Sequence, residues 1–296
     1  MSLRKDLPFQ IVCATLLIAF SVACIYPFYY IVLVSISSAE AVSRGEVFLY
    51  PIGIHGNNFA QVFRLNGILS AFSISVARTV IGTLAMLGFS TMLAYLCTKK
   101  ELLGRKWLYR ATVFTMFFQA GLIPWFVTMK MLGLQNNFLL YVLPGVISPF
   151  AVILIKTYIE SIPPSLEESA VMDGAGHFKT LTRIIVPISL PIIATVAVFN
   201  AVGQWNSWQD NFFLVNHPHL QTLQLILKNF LSQAEMLANS LRDGSRDLST
   251  VSKSQQLDPF AVKTTITVVT VIPILLVYPF LQKYFVKGIM LGAVKG

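Results

Sequence analysis

Charged side chains are scarce in this sequence, and their scarcity excludes most classes of soluble protein. Only 12% of the 296 residues are Asp, Glu, Lys or Arg, and 55% are hydrophobic, with a mean hydropathy of +0.68. Soluble domains carry about 25% charged residues, so this chain lacks the polar surface that a soluble fold needs. The lipid bilayer is therefore the predicted solvent, and the length allows about six helical spans with short loops.

Cysteine frameworks, metal-binding patterns and catalytic motifs are also missing. The three cysteines, Cys13, Cys24 and Cys97, lie in or at the ends of apolar runs, and no Cys-x-x-Cys or Cys/His spacing occurs, which argues against disulfides and metal sites. His217 and His219 flank a proline and fit a surface loop better than a metal site. The sequence contains no G-x-x-x-x-G-K-[ST], H-E-x-x-H or G-x-S-x-G, so we expect neither an enzyme nor an ATPase.

Long apolar runs are what the chain contains instead. Each is rich in Leu, Ile, Val, Phe and Ala over at least one helix length, and the alternation typical of membrane β-barrels is absent. The first run follows Arg4 and Lys5 as a signal peptide would, but it is too long and lacks a cleavage site, so we expect an uncleaved span. The sequence thus predicts an all-α integral membrane protein with six transmembrane helices, at about 11–36, 69–97, 111–129, 138–159, 188–211 and 264–286.

The distribution of Lys and Arg predicts the orientation of the chain. Of the 22 Lys and Arg residues, 13 lie near the termini or in or next to the connections 98–110 and 160–187 (Lys156 lies near the end of the preceding run), and eight are spread over the longer connections of the other side. The remaining one, Arg78, is embedded in the second run. Because cytoplasmic loops carry the denser positive charge, both termini and the segment 160–187 are predicted to be cytoplasmic.

The extracytoplasmic connections differ in character. Residues 37–68 mix Gly, Pro, Asn and aromatic residues and predict a structured excursion. Residues 242–259 form a polar linker within a longer extracytoplasmic loop, 212–263. Residues 220–241 predict an amphipathic helix, lying either in the membrane interface or against a partner, because apolar side chains recur at helical spacing at Leu220, Leu223, Leu227, Phe230, Leu231, Ala234 and Leu237.

A short charged segment interrupts the apolar pattern after Pro163. Ser165 and Glu168 have the spacing of a capping box, and acidic residues in a first turn favour the positive end of the helix dipole. Gly174 suits a left-handed cap at the end of the helix. A helix of two or three turns is marginal alone, so this one either docks on a partner at the cytoplasmic face or rests on the bilayer as a capped connector. A second helical stretch follows at 178–185, and Pro187 bounds the return to the membrane.

This segment resembles a known motif. Glu168-Ser169-Ala170, then Asp173-Gly174-Ala175, then Ile185-Val186-Pro187 and Pro191, are similar to the EAA motif in the membrane subunits of ABC importers; Ser169 departs from the common alanine but is also small. The flanking sequence resembles permeases of the carbohydrate type, related to the smaller maltose permease, and among them the oligosaccharide and uronate branch with its alginate importers. The stretches that carry this likeness are 121–124, 133–136, 205–208, 284–288 and 293–296.

The resemblance implies a fold, partners and a mechanism. The fold is that of a type I ABC importer permease, in the bacterial cytoplasmic membrane, working by alternating access. The partners are a second, different and larger permease, a dimer of cytoplasmic ATPases that binds ATP and Mg, and an extracytoplasmic binding protein that delivers the carbohydrate; this chain itself binds no cofactor. The segment at about 165–175 is then the coupling helix seated in the ATPase, with Glu167, Glu168, Ser169, Ala170, Met172, Asp173, Gly174 and Ala175 as its contact residues.

Polar residues within the apolar runs are candidates for the substrate path. A buried arginine such as Arg78 faces a bundle interior or a water-filled cavity; it meets either the substrate or a carbonyl or carboxylate of a neighbouring helix or partner. Asn200, Gln204 and Trp208, spaced by four, form one stripe of a helix, suited either to sugar hydroxyls and ring faces or to interhelical bonds and the interfacial belt. Trp205 and Gln119 complete the set of candidates.

An ion-coupled secondary sugar transporter is the main alternative. Such carriers use carboxylates or broken helices near the midplane of the membrane, and no Asp or Glu lies in the middle of any apolar run here. A channel would leave the capped cytoplasmic helix without a purpose. The sequence therefore favours an ATP-driven importer whose ATPase is another polypeptide.

Overall fold

The computed structural model describes residues 7–54, 56–64, 67–118, 120–242 and 264–276, and every regular element in these ranges is helical. The chain divides into two compact units, one formed by Met1–Ile68 with Leu227–Ile272 and the other by Leu69–Ile226 with Pro273–Gly296. In chain order the α-helices are α1 Leu7–Ile36, α2 Ala39–Ser43, α3 Asn57–Arg64, α4 Ile68–Thr98, α5 Arg105–Phe117, α6 Leu122–Met131, α7 Pro149–Glu160, α8 Pro164–Met172, α9 His177–Thr180, α10 Val186–Ile188, α11 Leu190–Asn206, α12 Gln209–Leu214, α13 Leu223–Arg242 and α14 Thr264–Leu276.

The first unit is organised around the end of α1. Most of this helix exposes apolar side chains, as expected of a surface that faces lipid. Its last turns are buried at Leu33 and Val34, which pack with Ala41 and Val47 of the following excursion. The hydroxyl of Tyr29 donates to the carbonyl of Leu49 at 2.7 Å. The excursion predicted at 37–68 is thus folded back on the helix that precedes it, and it carries α2 and α3.

The second unit is built around α4, a 31-residue helix without proline. One of its faces is buried at Met86, Ala94 and Tyr95, where it packs against Ile155 of α7 and Val196 of α11. Other large apolar side chains of α4 are exposed. One face of α4 therefore contributes to the core of this unit.

The remaining predicted spans are interrupted rather than continuous. The run 111–129 is divided between α5 and α6, and Gly121 between them has a φ of +83°. The run 138–159 consists of two 3-10 turns, Phe138–Tyr141 and Leu143–Gly145, followed by α7 at an angle of 46°. The run 188–211 begins at a bend of 81° between His177–Ile188 and α11, which follows a π-helical turn at Leu181–Ile185, and its end is divided between α11 and α12.

By length and composition, α1 and α4 can each cross a membrane, and up to four crossings result if each bent pair counts as one. The six-span arrangement therefore stays a prediction. For the last predicted span, α14 covers the first half, and residues 277–286 lie outside the described ranges. The amphipathic helix predicted at 220–241 is α13, with Leu220 in the 3-10 turn before it. Most of the predicted linker, from residue 243 on, also lies outside the described ranges.

Candidate functional site

Arg78 lies in the interior of the second unit with its charge fully engaged. Its side chain projects from α4, is 3% exposed and donates through both terminal nitrogens to the carboxylate of Asp210, at 2.6 and 3.2 Å. It also donates to the amide oxygen of Gln204 at 3.1 Å and to the carbonyl of Ser207 at 3.2 Å. The guanidinium lies 4.4 Å from the ring centroid of Tyr141. Of the two interpretations offered for Arg78, the structure therefore shows the internal pairing.

Asp210 and Tyr141 extend this network into the loops around it. The Asp210 carboxylate accepts the backbone N–H of Asn211 at 2.9 Å. The Asn211 amide donates to the hydroxyl of Tyr141 at 2.7 Å, and that hydroxyl donates to the carbonyl of Leu220 at 2.7 Å. A buried charge pair needs such additional hydrogen bonds to offset its desolvation. The network therefore joins α4 to the chain that leaves α11.

A cleft of about 300 Å³ opens beside Arg78. Asn200 and Gln204 of α11 contribute amides to it, and Trp125 and Phe199 contribute aromatic faces. Asn200 accepts a hydrogen bond from the hydroxyl of Thr83 at 3.1 Å, which orients its side chain. Paired amides beside aromatic faces can bind the hydroxyls and C–H faces of a sugar ring. A second cleft, of about 870 Å³, shares Trp125 and Asp210 with the first and also includes Trp208.

The structure corrects two of the predicted substrate-path residues, and a third is not described. Trp208 does not share a stripe with Asn200 and Gln204, because α11 ends at Asn206 and Trp208 is the N-cap of α12. Trp205 is 6% exposed, with its ring edge-on to Phe72 at 6.1 Å, and it lines neither cleft. Gln119 lies outside the described residues.

Sequence reasoning did not find the partners of Arg78. Asp210 is the only acidic residue between Asp173 and Glu235. Because a buried arginine is rarely found without a partner, this position could have identified Asp210 as a candidate partner of Arg78. Tyr141 and Trp125 carried no comparable signal, because aromatic residues are frequent throughout the chain.

The second candidate site is α8, which corresponds to the predicted segment 165–175. Its beginning differs from the prediction: the helix starts at Pro164 with Pro163 as the N-cap, and no side chain caps it. Ser165 therefore forms no capping box with Glu168, because it already lies inside the first turn; its carbonyl accepts the hydroxyl of Ser169 at 2.8 Å. Proline at this position suits a helix start, since its missing N–H would have no partner there.

The end of α8 is closed by Gly174, whose φ is +75°. The N–H of Ala175 donates to the carbonyl of Ala170, and the N–H of Gly174 donates to that of Val171, both at 2.9 Å. These two bonds form a Schellman motif, which needs a left-handed residue at the glycine position. Asp173 is the C-cap and is exposed. The chain therefore leaves α8 in a sharply defined direction.

Glu167 fastens α8 to the end of α4. Its carboxylate accepts the Tyr95 hydroxyl at 2.9 Å and pairs with the Lys99 ammonium. Lys99 also lies 4.0 Å from the ring centroid of Tyr95. Burial lowers the pKa of the Lys99 ammonium, and Glu101 nearby opposes that effect. We call Tyr95, Lys99 and Glu167 the α4–α8 tether.

The rest of α8 faces outward. Met172 is 87% exposed and Val171 is also exposed. Glu168 is exposed, and in the part of the chain that the structure describes it has no hydrogen-bond or ion-pair partner. Glu168 does not cap α8, and the pair with Lys99 is made by its neighbour Glu167. An exposed apolar and acidic helix face is a surface available to a partner.

Comparisons with known proteins give a consistent result. The family described as the inner membrane component of binding-protein-dependent transport systems matches residues 87–291. The polygalacturonan/rhamnogalacturonan transport system permease of Bacillus subtilis strain 168 is 34% identical over 292 residues, covering 99% of this chain and 100% of that protein.

Two solved structures agree in fold. A chain of a bacterial ABC transporter that imports the acidic polysaccharide alginate superposes with a TM-score of 0.83 and 32% identity, over 95% of this chain and 98% of that one. A chain from the bacterial alginate ABC transporter in complex with its pentasaccharide-bound periplasmic protein gives a TM-score of 0.54 at 14% identity, over 95% and 94% of the two chains, and supports the fold alone.

Proposed function

This chain belongs to the family of inner membrane components of binding-protein-dependent transport systems, and we propose that, as a permease subunit of an ABC carbohydrate importer, it moves an acidic oligosaccharide into the cytoplasm. The importer function follows from the family and from the relatives. The cargo class rests on one observation. The relative with 34% identity carries polygalacturonan or rhamnogalacturonan fragments, and the structural neighbour with 32% identity imports alginate, so both handle uronate polymers.

The geometry of the cleft supports a particular role for this chain in cargo recognition. Arg78 is neutralised by Asp210 and has no free donor directed at a cargo carboxylate. The cleft beside it offers Asn200, Gln204, Trp125 and Phe199, which suit hydroxyls and ring faces. This chain therefore contacts the neutral parts of the sugar, and selection for the carboxylates is left to the binding protein and the second permease.

Helix α8 is proposed as the coupling helix, with Glu168, Met172 and Gly174 at the surface that meets the ATPase. The support is its exposed outer face and its rigid ends at Pro164 and Gly174. In the assembled importer we place α8 and both termini on the cytoplasmic side of a bacterial inner membrane, with six spans. A second and larger permease completes the path, a dimer of ATPases binds ATP and Mg, and an extracytoplasmic protein delivers the cargo.

Reconstitution in proteoliposomes tests the proposal. The chain is purified together with its partner permease, ATPase and binding protein, and ATP hydrolysis and uptake are measured with tetragalacturonate and, as the neutral control of equal length, maltotetraose. We expect tetragalacturonate to stimulate both activities and maltotetraose to stimulate neither. Equal or greater stimulation by maltotetraose would show that the cargo is neutral. Uptake that continues with an ion gradient but without ATP would instead support the secondary transporter that the family assignment argues against.

A further inference from the structure

The α4–α8 tether links α8 to a part of the chain that is distant in sequence. Within α8, which the structure describes completely, Ala170 is the only buried residue. Glu167 bonds to Tyr95 across 72 residues of sequence and pairs with Lys99. The Lys99 side chain is 12% exposed and that of Glu167 is 29% exposed, so the pair is partly sheltered from water and is stronger than a fully exposed pair. Glu167 therefore connects α8 directly to the end of α4.

The same helix holds the substrate cleft at its other end. Arg78 precedes Lys99 by 21 residues, which corresponds to about 30 Å along an α-helix. Between them α4 is continuous and contains no proline. At the Arg78 end, α4 is bonded to Gln204, which lines the cleft, and to Asp210. Both ends of one continuous helix thus make charged hydrogen bonds, one end to α8 and the other to residues of the cleft.

The direct route along the chain from α8 to the cleft, unlike α4, is interrupted by two irregular elements. It passes through the π-helical turn Leu181–Ile185 and then the 81° bend before α11. The hydroxyl of Ser189 at this bend is buried and has no hydrogen-bond partner in the described part of the chain. π-helical turns and bends are places where helices deform. The route along the chain from α8 to the cleft is therefore interrupted, whereas α4 is one continuous helix.

We propose that α4 is the stiff connection between α8 and the substrate cleft, and that Tyr95, Lys99 and Glu167 are the positioning residues through which a displacement of α8 reaches Arg78 and Gln204. This inference rests on the proposed function of α8. It adds a defined route through this chain. It also assigns a positioning role to Tyr95 and Lys99, which lie outside the EAA-like segment, and to Glu167, which precedes the exposed Glu168.

The experiment uses the complete reconstituted importer and measures cargo molecules transported per ATP hydrolysed. Lys99→Met and Glu167→Gln each remove one side of the pair. Both should leave ATP hydrolysis running while transport per ATP falls about tenfold, within the range typical of coupling between two sites. The exchanged double variant K99E/E167K should recover part of the loss, because it restores the pair in reverse.

Glu160→Gln is the matched control, because it also removes a lysine partner, Lys156 at 2.6 Å, but within α7 alone. An unchanged transport per ATP in Lys99→Met and Glu167→Gln, an equal fall in Glu160→Gln, or no recovery in the exchanged variant would each overturn the inference. If the Lys99→Met importer does not assemble, Tyr95→Phe replaces it, since that change removes one hydroxyl and no charge. A fall in transport per ATP in Tyr95→Phe supports the inference, and an unchanged value overturns it.

A separate variant distinguishes this inference from the function proposed for α8. Met172→Glu changes the exposed face of α8 and leaves the tether intact. If this variant retains full ATPase binding and stimulation, the docking proposed for α8 is wrong. If it loses ATPase binding while the tether variants keep the wild-type ratio, α8 docks as proposed and only the tether is wrong.

Discussion

Arg78 and Asp210 form a two-pronged ion pair across 132 residues of sequence, with nitrogen–oxygen distances of 2.6 and 3.2 Å. The arginine side chain is 3% exposed and the aspartate side chain 16%, so the pair is largely shielded from water. Loss of one member of a buried pair leaves the other charge uncompensated, which is far more costly than replacement of both. This relationship makes α4 and the α11–α12 junction a single unit.

Arg78→Met and Asp210→Asn are each expected to destabilise the protein by about 3–5 kcal/mol. The measurement is the thermal unfolding temperature of the purified importer in detergent, followed by intrinsic fluorescence. Arg44→Met is the control, because the Arg44–Glu40 pair is exposed, at 62% and 75% for the two side chains, and such pairs contribute about 0–1 kcal/mol. Equal effects of Arg44→Met and Arg78→Met would contradict the prediction.

Gly174→Val should preserve membrane insertion and abolish the coupling of ATP hydrolysis to uptake. Valine at a φ of +75° is strained, so the Schellman turn opens and α8 loses its defined end. Gly176→Val is the control, since its φ is −72° and an added Cβ meets nothing within 4 Å. The assay is cargo-stimulated ATP hydrolysis in proteoliposomes, and normal uptake by Gly174→Val would rule out the role proposed for this turn.

Gly82→Ala should weaken transport several-fold by displacing Gln204. An added Cβ would lie 3.0 Å from the amide nitrogen of Gln204, and that amide bonds to both Arg78 and the carbonyl of Tyr141. Gly88→Ala on the same helix meets nothing within 4 Å, so it should be neutral or stabilise by up to about 1 kcal/mol. The comparison is the apparent KM for uptake, and equal values for the two variants would exclude crowding at Gln204.

Trp125→Ala should raise the KM for cargo uptake while leaving basal ATP hydrolysis unchanged. Trp125 lines both clefts, and its ring supplies a face for the C–H surface of a sugar. Trp107→Ala is the control, because Trp107 is 74% exposed on α5 and borders neither cleft. A KM unaffected by Trp125→Ala would remove this cleft from the cargo path.

The sequence predicts some parts of the sites well because they depend on neighbouring residues alone. The left-handed turn at Gly174 is an example, since only glycine tolerates that backbone conformation without strain. The start of α8 shows the limit of the same reasoning. Ser165 and Glu168 have the capping-box spacing, but Pro163 and Pro164 start the helix earlier and place Ser165 inside it.

Continuity of the spans was not predictable from hydropathy. The run 111–129 is apolar enough for one helix, yet Gly121 takes a positive φ and divides it. The prediction that Asn200, Gln204 and Trp208 share one helix face is wrong because α11 ends at Asn206, before Trp208. Apolar composition predicts whether a segment enters the lipid bilayer. It does not predict whether the backbone forms one helix there, because that also depends on the residues against which the segment packs.

The sequence by itself determined the membrane environment, the helical class and the position of the charged segment along the chain, because composition, hydropathy and turn chemistry are local properties. Only the tertiary structure decided that Arg78 pairs with Asp210, and that Glu167 rather than Glu168 holds α8 to Lys99 and Tyr95. Such pairs join residues far apart in the chain. They form where burial removes water as a competitor, so the choice of partner depends on three-dimensional placement and not on residue type or spacing.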